Sequence, residues 1–223
     1  MRPCTLAPIL AALAAAAFTL SAGSARAEGE ETESDWMNKK SRLRDGVVLG
    51  GSLQGGLAGA SGYPNDPKAI DNPDFYSASN LMYGFVVTPT LMGALTDWLN
   101  FGFMANIANH QSSNWESFGV GVGIRLEVFP LYTRMVSKAK NFGLFGQGGI
   151  GVSKLHAKAG GYPDADAAQS YLGAGAFYEW SLFSILGGHV AAGPIAQWDS
   201  VFSRDFERHG VNVGLRTVWY GGK

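Results

Sequence analysis

The chain has 223 residues, 16% of which are charged, well below the roughly 25% that is usual in soluble domains. Its formal net charge of −1 gives no electrostatic basis for binding nucleic acid. The hydrophobic content of 46% excludes intrinsic disorder, which requires low hydrophobicity and high net charge. The 31 glycines follow no Gly-X-Y period, and this excludes a collagen-like triple helix.

The first 27 residues have the layout of a secretory signal peptide. Arg2 precedes an alanine-rich apolar run over 9–20, and the small-x-small sequence Ala25-Arg26-Ala27 follows it. The run is shorter than the roughly 20 apolar residues that a membrane-spanning helix needs. We therefore expect a cleaved signal peptide over 1–27, a periplasmic N-terminal tail over 28–45 and a folded domain over 46–220.

Eight later segments alternate between bulky apolar residues and small or polar residues. This period of two is that of a β-strand, and none of the segments repeats at three and four as a helix would. The clearest is 117–128, in which every second residue is apolar. No apolar stretch of about 18 residues follows the signal, which leaves a closed barrel as the membrane-compatible fold. The eight segments are 47–57, 81–91, 99–107, 117–128, 142–152, 171–180, 186–198 and 211–219.

The connections between these segments alternate in length. Long loops are expected over 60–80, 154–168 and 199–208, and tight turns near 96–97 and 181–182. Longer loops on one side and short turns on the other are typical of bacterial outer-membrane barrels. An even number of strands places both ends of the barrel on the same side, which we expect to be the periplasm.

The two faces of each segment decide whether the barrel lies in water or in lipid. Between 81 and 129 the charged residues are Asp97, Glu116, Arg125 and Glu127 alone. A soluble eight-stranded barrel such as a lipocalin would need a charged exterior, and with the bulky face inward the exterior here would be mostly glycine. Eight strands enclose only enough room for side chains. The predicted fold is therefore all-β: an eight-stranded antiparallel up-and-down transmembrane β-barrel with its bulky face towards lipid.

Tryptophan placement agrees with a membrane setting. Five of the six tryptophans lie near predicted strand ends, where aromatic girdles form because the amphipathic ring suits the depth of the lipid headgroups. The predicted girdle consists of Trp98, Trp115, Trp180, Trp198 and Trp219.

The signal peptide and segments such as 118–129 (FGVGVGIRLEVF) resemble the small outer-membrane barrels of the OmpA, OmpW and opacity-protein type. The resemblance covers roughly 46–220 and implies an eight-stranded barrel in the outer membrane of a Gram-negative bacterium. The partners expected for such a protein are outer-membrane lipid, lipopolysaccharide and the barrel-assembly machinery.

Four charged residues share the inward face of their strands: Arg125, Glu127, Glu179 and Arg216. Two positive and two negative charges inside a narrow barrel are expected to pair, because an isolated buried charge is very costly. We interpret them as a structural plug that seals the lumen, with a gate or a proton path as the alternative.

The four histidines do not form a recognisable catalytic or metal-binding pattern in the sequence. His189 is predicted to face inward near Glu179, but a hydrolase would also need a nucleophile and an oxyanion-stabilising partner, and no serine lies two positions away. His110, His156 and His209 are expected in or beside outer loops, with no spacing typical of a metal site. We expect no catalytic residue, no cofactor and no metal.

The sequence thus favours a non-enzymatic outer-membrane barrel protein whose loops contact the outside or whose body supports envelope integrity. The alternatives are a channel for small solutes or hydrophobic compounds, a lipid-modifying enzyme, and a soluble lipocalin-like carrier.

Overall fold

The computed structural model of the protein describes residues 44–132, 139–158, 160 and 162–221. The predicted signal peptide, and all of the predicted N-terminal tail except Arg44 and Asp45, lie outside the described residues. No helix in the described part of the chain is long and apolar enough to cross a membrane. Two single-turn 3₁₀ helices are present there, at Pro73–Phe75 and Ala139–Asn141.

The described residues form eight long strands and two short ones. In chain order they are β1 (Gly46–Gly62), β2 (Ser77–Ala78), β3 (Met82–Thr96), β4 (Leu99–Gln111), β5 (Trp115–Val128), β6 (Phe142–Ala157), β7 (Ala165–Tyr178), β8 (Trp180–Ile185), β9 (Gly188–Phe202) and β10 (Phe206–Tyr220).

The long strands close into a ring of antiparallel neighbours. The order around the ring is β1, β3, β4, β5, β6, β7, β9 and β10, and β10 pairs back onto β1 from Tyr220↔Val48 to Phe206↔Gly62. β8 follows β7 after a single residue and pairs with the start of β9, so β7 and β8 form one wall. β2 pairs with the last residues of β1. The predicted eight-stranded antiparallel barrel is therefore confirmed.

The connections differ between the two ends of the barrel. We call the end that holds Arg44 and Tyr220 the base, and the opposite end the top. The top carries the connections over 63–81, 112–114, 158–164 and 203–205, and the base carries those over 97–98, 129–141 and 186–187. The long β1–β3 connection matches the predicted loop, whereas the other three top connections are shorter than the strands they join.

Two predicted connections are wrong. The base turn expected at 181–182 lies at Leu186–Gly187, where both residues have positive φ, 53° and 68°. Such a pair forms the two-residue hairpin turn whose twist matches that of its strands. The loop expected over 199–208 is mostly strand, because its charged residues Asp199 and Arg208 are buried inside the barrel rather than exposed in a loop.

The two faces of the barrel wall have opposite character. Outward side chains are large, apolar and exposed on strand after strand, with exposed fractions of 67% for Phe103, 70% for Ile150 and 68% for Leu215. Inward side chains are buried and mostly polar or small, such as Gln54 and Asn106. The predicted assignment of faces is confirmed, and it is the arrangement of barrels that lie in lipid.

The lumen is filled with side chains along its length. The top is closed by an apolar group comprising Ala60, Met82, Trp115, Leu155, Ala157, Ala165, Ala167 and Phe206, which we call the top cluster. Towards the base lie two further apolar groups, one around Val48 and Tyr220 and one around Phe129 and Phe177. Polar side chains fill the space between them, and glycines such as Gly149 let the walls of β5 and β6 approach closely.

Candidate functional site

The four charged residues predicted to share the lumen are in direct contact. Arg125 and Glu127 come from β5, Arg216 comes from β10, and Glu179 lies between β7 and β8. Arg216 Nε donates to Glu179 Oε1 at 2.8 Å, and its Nη2 donates to Glu127 Oε2 at 2.9 Å. Arg125 Nε donates to Glu127 Oε1 at 2.7 Å. All four residues are at most 4% exposed, so water is excluded from these pairs and their electrostatic interactions are weakly screened.

Arg44 adds a fifth charge at the base. Its Nη2 lies 3.7 Å from Glu179 Oε2, and its guanidinium stacks 3.5 Å from the ring centroid of Phe129. Its backbone N–H donates to Asp97 Oδ1 at 3.0 Å. Arg44 falls within the predicted N-terminal tail, yet its side chain is 2% exposed at the base of the barrel. We call the resulting alternation of positive and negative groups the lumen ladder: Arg44, Glu179, Arg216, Glu127 and Arg125.

Neutral groups complete the coordination of the ladder. Arg125 lies 3.7 Å above the Phe145 ring and Arg216 lies 4.0 Å above the Phe177 ring, which are cation–π distances. Tyr220 Oη donates to Glu179 at 2.9 Å. Asn100 Nδ2 donates to Glu127 Oε2 at 3.2 Å, and Arg125 Nη1 donates to Gln147 Oε1 at 2.8 Å. Each charge thus has several partners, as a buried charge requires.

Amide side chains continue the network above the ladder. Tyr171 Oη accepts hydrogen bonds from Asn106 Nδ2 at 3.3 Å, from Gln197 Nε2 at 3.2 Å and from Gln147. Gln54 Nε2 in turn donates to Gln197 Oε1 at 3.2 Å. One cavity beside Asn106 and Tyr171, and another beside Arg125 and Arg216, have volumes of about 10 Å³ each, room for about one water molecule.

A second buried ion pair lies higher in the lumen. Arg208 Nη2 and Asp199 Oδ2 are 3.5 Å apart, and Asn212 Nδ2 donates to Asp199 Oδ1 at 2.6 Å. His110 lies beside the 112–114 connection, as predicted, but it belongs to β4 and its side chain is fully buried on the inner face rather than solvated. The burial of Asp199 and Arg208 could have been predicted from the alternation of the strands. Asp199 lies two residues after Gln197, and Arg208 lies four residues before Asn212, so each shares the inward face of that residue.

His189 lies at the base, and no hydrogen bond or ion pair between described residues joins it to Glu179. It was expected near Glu179 because the turn was predicted at 181–182, but the register pairs it with Tyr220 on β10 and with Ser184 on β8. The difference follows from the position of the turn at 186–187. The His189 ring stacks on the Tyr220 ring with 4.9 Å between the ring centroids, and it also interacts electrostatically with Arg44 and Glu179, so it lies beside the base end of the ladder.

The predicted tryptophan girdle is only partly outward-facing. Trp98, Trp180 and Trp198 are exposed on the outer surface, and Trp219 is half-buried there with its Nε1 donating to Ile185 O at 3.1 Å. The prediction that Trp115 belongs to the girdle is wrong, because its side chain is 6% exposed and points inward into the top cluster. It is the first residue of β5 and shares the parity of Ser117, which is also buried.

The top connections are joined to one another. Ser77 Oγ donates to Pro163 O at 2.7 Å, and Lys158 N donates to Asn114 O at 2.8 Å. Asp164 contacts Lys154 Nζ at 2.8 Å and His156 Nδ1 at 2.5 Å. Burial opposes the charged form of the Asp164 carboxyl, but these two hydrogen bonds lower its pKa below the ordinary value.

The described residues contain no group of three His, Cys, Asp or Glu side chains placed to hold a metal ion.

No protein-family model matches the sequence, and no curated protein matches it. Among solved structures, the chain is similar to Ail, the attachment invasion locus protein of Yersinia pestis, in complex with the heparin analogue sucrose octasulfate. The identity is 12%, the match covers 76% of this chain and 98% of Ail, and the TM-score is 0.39.

Two further solved structures are similar to this chain. Neisserial surface protein A is 8% identical, with 76% of this chain and 94% of that chain covered and a TM-score of 0.41. The outer membrane protein OprG of Pseudomonas aeruginosa is 8% identical, with 80% and 98% covered and a TM-score of 0.33.

Proposed function

We propose that this protein is a non-enzymatic integral protein of a Gram-negative outer membrane. Its barrel supports the envelope and its top connections contact the outside. It is exported through the signal peptide over 1–27, inserted by the barrel-assembly machinery, and surrounded by outer-membrane lipid and lipopolysaccharide. The observation that carries the proposal is the contrast between an apolar outer surface and a filled, charged lumen.

The outer surface supports a lipid environment. Monomeric soluble proteins rarely expose a contiguous apolar patch larger than a few hundred Å². Here the exposed outward residues include Leu53 on β1, Phe103 on β4, Ile150 on β6 and Leu215 on β10, so apolar side chains surround the barrel. The closed ring of strands pairs its own backbone groups, which lipid requires.

The lumen favours a structural role over transport. The ladder joins side chains from β5, β10 and the β7–β8 wall to Arg44, two residues before β1, so it crosses the interior from several directions. The cavity beside Arg125 and Arg216, and the one above it beside Tyr171 and Arg208, each admit about one water. A soluble lipocalin-like carrier would need a roomy apolar interior, whereas the buried residues here include Gln54, Asn106 and Gln197.

The position of His189 argues against a lipid-modifying enzyme. Its ring is stacked on Tyr220, and its register partner on β8 is Ser184, whose side chain lies on an exposed strand. General-base catalysis needs a nucleophile held by the histidine and a donor pair for the oxyanion. Among the described residues, no hydrogen bond joins His189 to a serine.

The first test is fractionation of Gram-negative cells that express the full chain. We expect the protein in the outer-membrane fraction, with a mature N-terminus at Glu28 and a different gel mobility when unboiled and boiled. A soluble periplasmic protein without a mobility shift would contradict the proposal and favour the lipocalin-like carrier.

The second test is single-channel recording of the purified barrel in planar bilayers. We expect no stable conductance steps from the natural protein. A variant with Arg125→Ala and Arg216→Ala, shown to be folded by its mobility shift, is expected to conduct because two side chains that fill the lumen have been shortened. Stable steps from the natural protein would contradict the sealed lumen and favour the channel.

A further inference from the structure

We propose that the top of the barrel carries a binding site for a neutral saccharide. The site is a pocket lined by Trp115, Tyr76, Tyr162, Asn80 and Asn114, which we call the loop pocket. The inference rests on the proposed function, because only an outward-facing top would meet extracellular glycans.

The loop pocket lies where three top connections meet. Tyr76 and Asn80 come from the connection over 63–81, Asn114 from the β4–β5 connection and Trp115 from the first position of β5, and Tyr162 from the connection over 158–164. The cavity has a volume of about 410 Å³, within the range of roughly 300–1,000 Å³ that is typical of small-molecule sites.

Three aromatic rings define the pocket. Trp115 is 6% exposed and held in the top cluster, so it is a rigid floor. The Tyr162 ring lies 5.5 Å from the Trp115 ring at an angle of 49°, and both Tyr162 and Tyr76 are exposed. The faces of aromatic rings carry partial negative charge, and the C–H groups on one face of a pyranose ring carry partial positive charge, so the two stack.

Two amides supply the polar part of the pocket. In the described part of the chain, the side chains of Asn80 and Asn114 have no hydrogen-bond partner. Each primary amide offers both a donor and an acceptor, which is what a sugar hydroxyl needs. Rings that bind an apolar face, next to amides that bind an edge of hydroxyl groups, match the two-sided chemistry of a saccharide.

The charges near the pocket point to a neutral ligand. None of the residues that line the pocket is charged. Lys158 Nζ donates to Ser112 O at 3.0 Å, Lys154 is paired with Asp164 at 2.8 Å, and Arg204 is 3.4 Å from Asp71. Lys154 and Arg204 are compensated by carboxylates, and the Lys158 ammonium is held on a backbone carbonyl and does not line the pocket, so a sulfated or phosphorylated ligand would meet no charged side chain in the pocket lining.

The pocket is held in shape before any ligand binds. Ser77 Oγ joins the connection over 63–81 to Pro163, and Lys158 N joins the connection over 158–164 to Asn114. Ser79 N donates to Ala60 O at 2.8 Å and anchors the first connection to β1. Because a preformed site loses little conformational freedom on binding, aromatic contacts of modest strength suffice for measurable affinity.

The test uses the purified full-length mature protein, folded in a detergent whose headgroup is not a sugar. Maltohexaose and N-acetylchitotriose are titrated as neutral probes, and sulfated maltohexaose as the charged counterpart. Binding is followed by calorimetry and by tryptophan fluorescence, and the heat-dependent gel mobility of each sample is recorded. We expect saturable binding of at least one neutral probe, with a fluorescence change that Trp115→Phe removes.

Matched variants locate the binding. Tyr162→Ala and Asn114→Ala are expected to weaken the binding of the neutral probe by about fivefold to tenfold each. Tyr83→Ala is the control, since Tyr83 is also 61% exposed but lies outside the pocket, and its affinity should equal that of the natural protein.

Three results would overturn the inference: no saturable binding of either neutral probe by a sample with the mobility shift, binding of the sulfated probe alone, or equal losses from Tyr162→Ala and Tyr83→Ala. A sample that lacks the mobility shift refutes the proposed barrel instead, so the two failures are distinguishable.

Discussion

Replacing Glu127 with glutamine tests whether the lumen ladder stabilises the barrel. Glu127 is fully buried and accepts hydrogen bonds from Arg125, Arg216 and Asn100. Glutamine has nearly the same volume and keeps one acceptor oxygen, so the change removes charge rather than packing. Arg216 then retains Glu179 as its only carboxylate partner, and Arg125 retains the neutral Gln147.

The expected loss of stability follows from the burial of both arginines. Removing one partner of a buried ion pair costs about 3–5 kcal/mol, because the other charge is left uncompensated. Because the glutamine keeps one acceptor oxygen and Arg216 keeps the Glu179 carboxylate, we expect Glu127→Gln to lower the free energy of unfolding by about 3 kcal/mol, the lower limit of this range. With a urea dependence of about 1–3 kcal/mol per molar, the unfolding midpoint should fall by about 1 to 3 M.

The assay is equilibrium urea unfolding of the folded barrel in phospholipid vesicles, followed by tryptophan fluorescence and by gel mobility. Glu207→Gln is the control, because Glu207 is an exposed carboxylate at the top that accepts a hydrogen bond from Ser61 at 3.1 Å. Surface interactions of this kind contribute about 0–1 kcal/mol. Equal midpoints for Glu127→Gln and Glu207→Gln would refute the structural role of the ladder.

Three further predictions concern the wall, the tryptophans and the top. Gly149→Val should abolish the heat-dependent mobility shift, because a Cβ at this position would lie 2.1 Å from Val122 O. The control Gly146→Val should keep the shift, because nothing lies within 4 Å of a Cβ at that position. Equal yields of folded protein from the two variants would contradict the close packing of β5 and β6 at Gly149. In single-tryptophan variants, brominated lipid should quench the exposed Trp98 strongly and the inward Trp115 weakly, and the reverse order would mean that their faces are inverted. The pKa of Asp164 in the folded protein lies below its ordinary value of 3.8, so its contacts with Lys154 and His156 should persist at pH 3.8 and be lost only as the pH falls through that lowered pKa. An NMR titration of the Asp164 carboxyl with a midpoint above 3.8 would contradict this.

The architecture could be predicted because the alternation of side chains is itself the structural signal. In β5 every outward residue between Phe118 and Val128 is apolar, so the face of each strand is readable without knowing its neighbours. The turn at 186–187 could not be read in the same way. Leu186 adopts a positive φ, which is uncommon for a residue with a side chain, and the preceding six residues continue as strand β8.

The lumen could be predicted only where a charged residue lies inside a clear alternating pattern. Arg125 lies between Ile124 and Leu126, and Arg216 follows Leu215 in a strand whose alternate residues are mostly apolar, so their inward direction follows from parity. Arg44 precedes the first strand, where no pattern exists to assign a face. Asp199 and Arg208 lie beside a turn that is rich in polar residues, so sequence alone extends the loop over them. Their burial depends on the pairing of β9 with β10.

The ladder also selects the register of the strands. In lipid, an apolar interior and an apolar exterior would be nearly equivalent, and a one-residue slip of β5 or β10 would exchange the two faces. That slip would turn Arg125 or Arg216 towards acyl chains, where an arginine costs up to about 4 kcal/mol depending on its depth, and would leave Glu127 without its partners. Charges that contact one another inside the barrel therefore penalise every slip by an odd number of residues, which an apolar lumen of the same volume would not do.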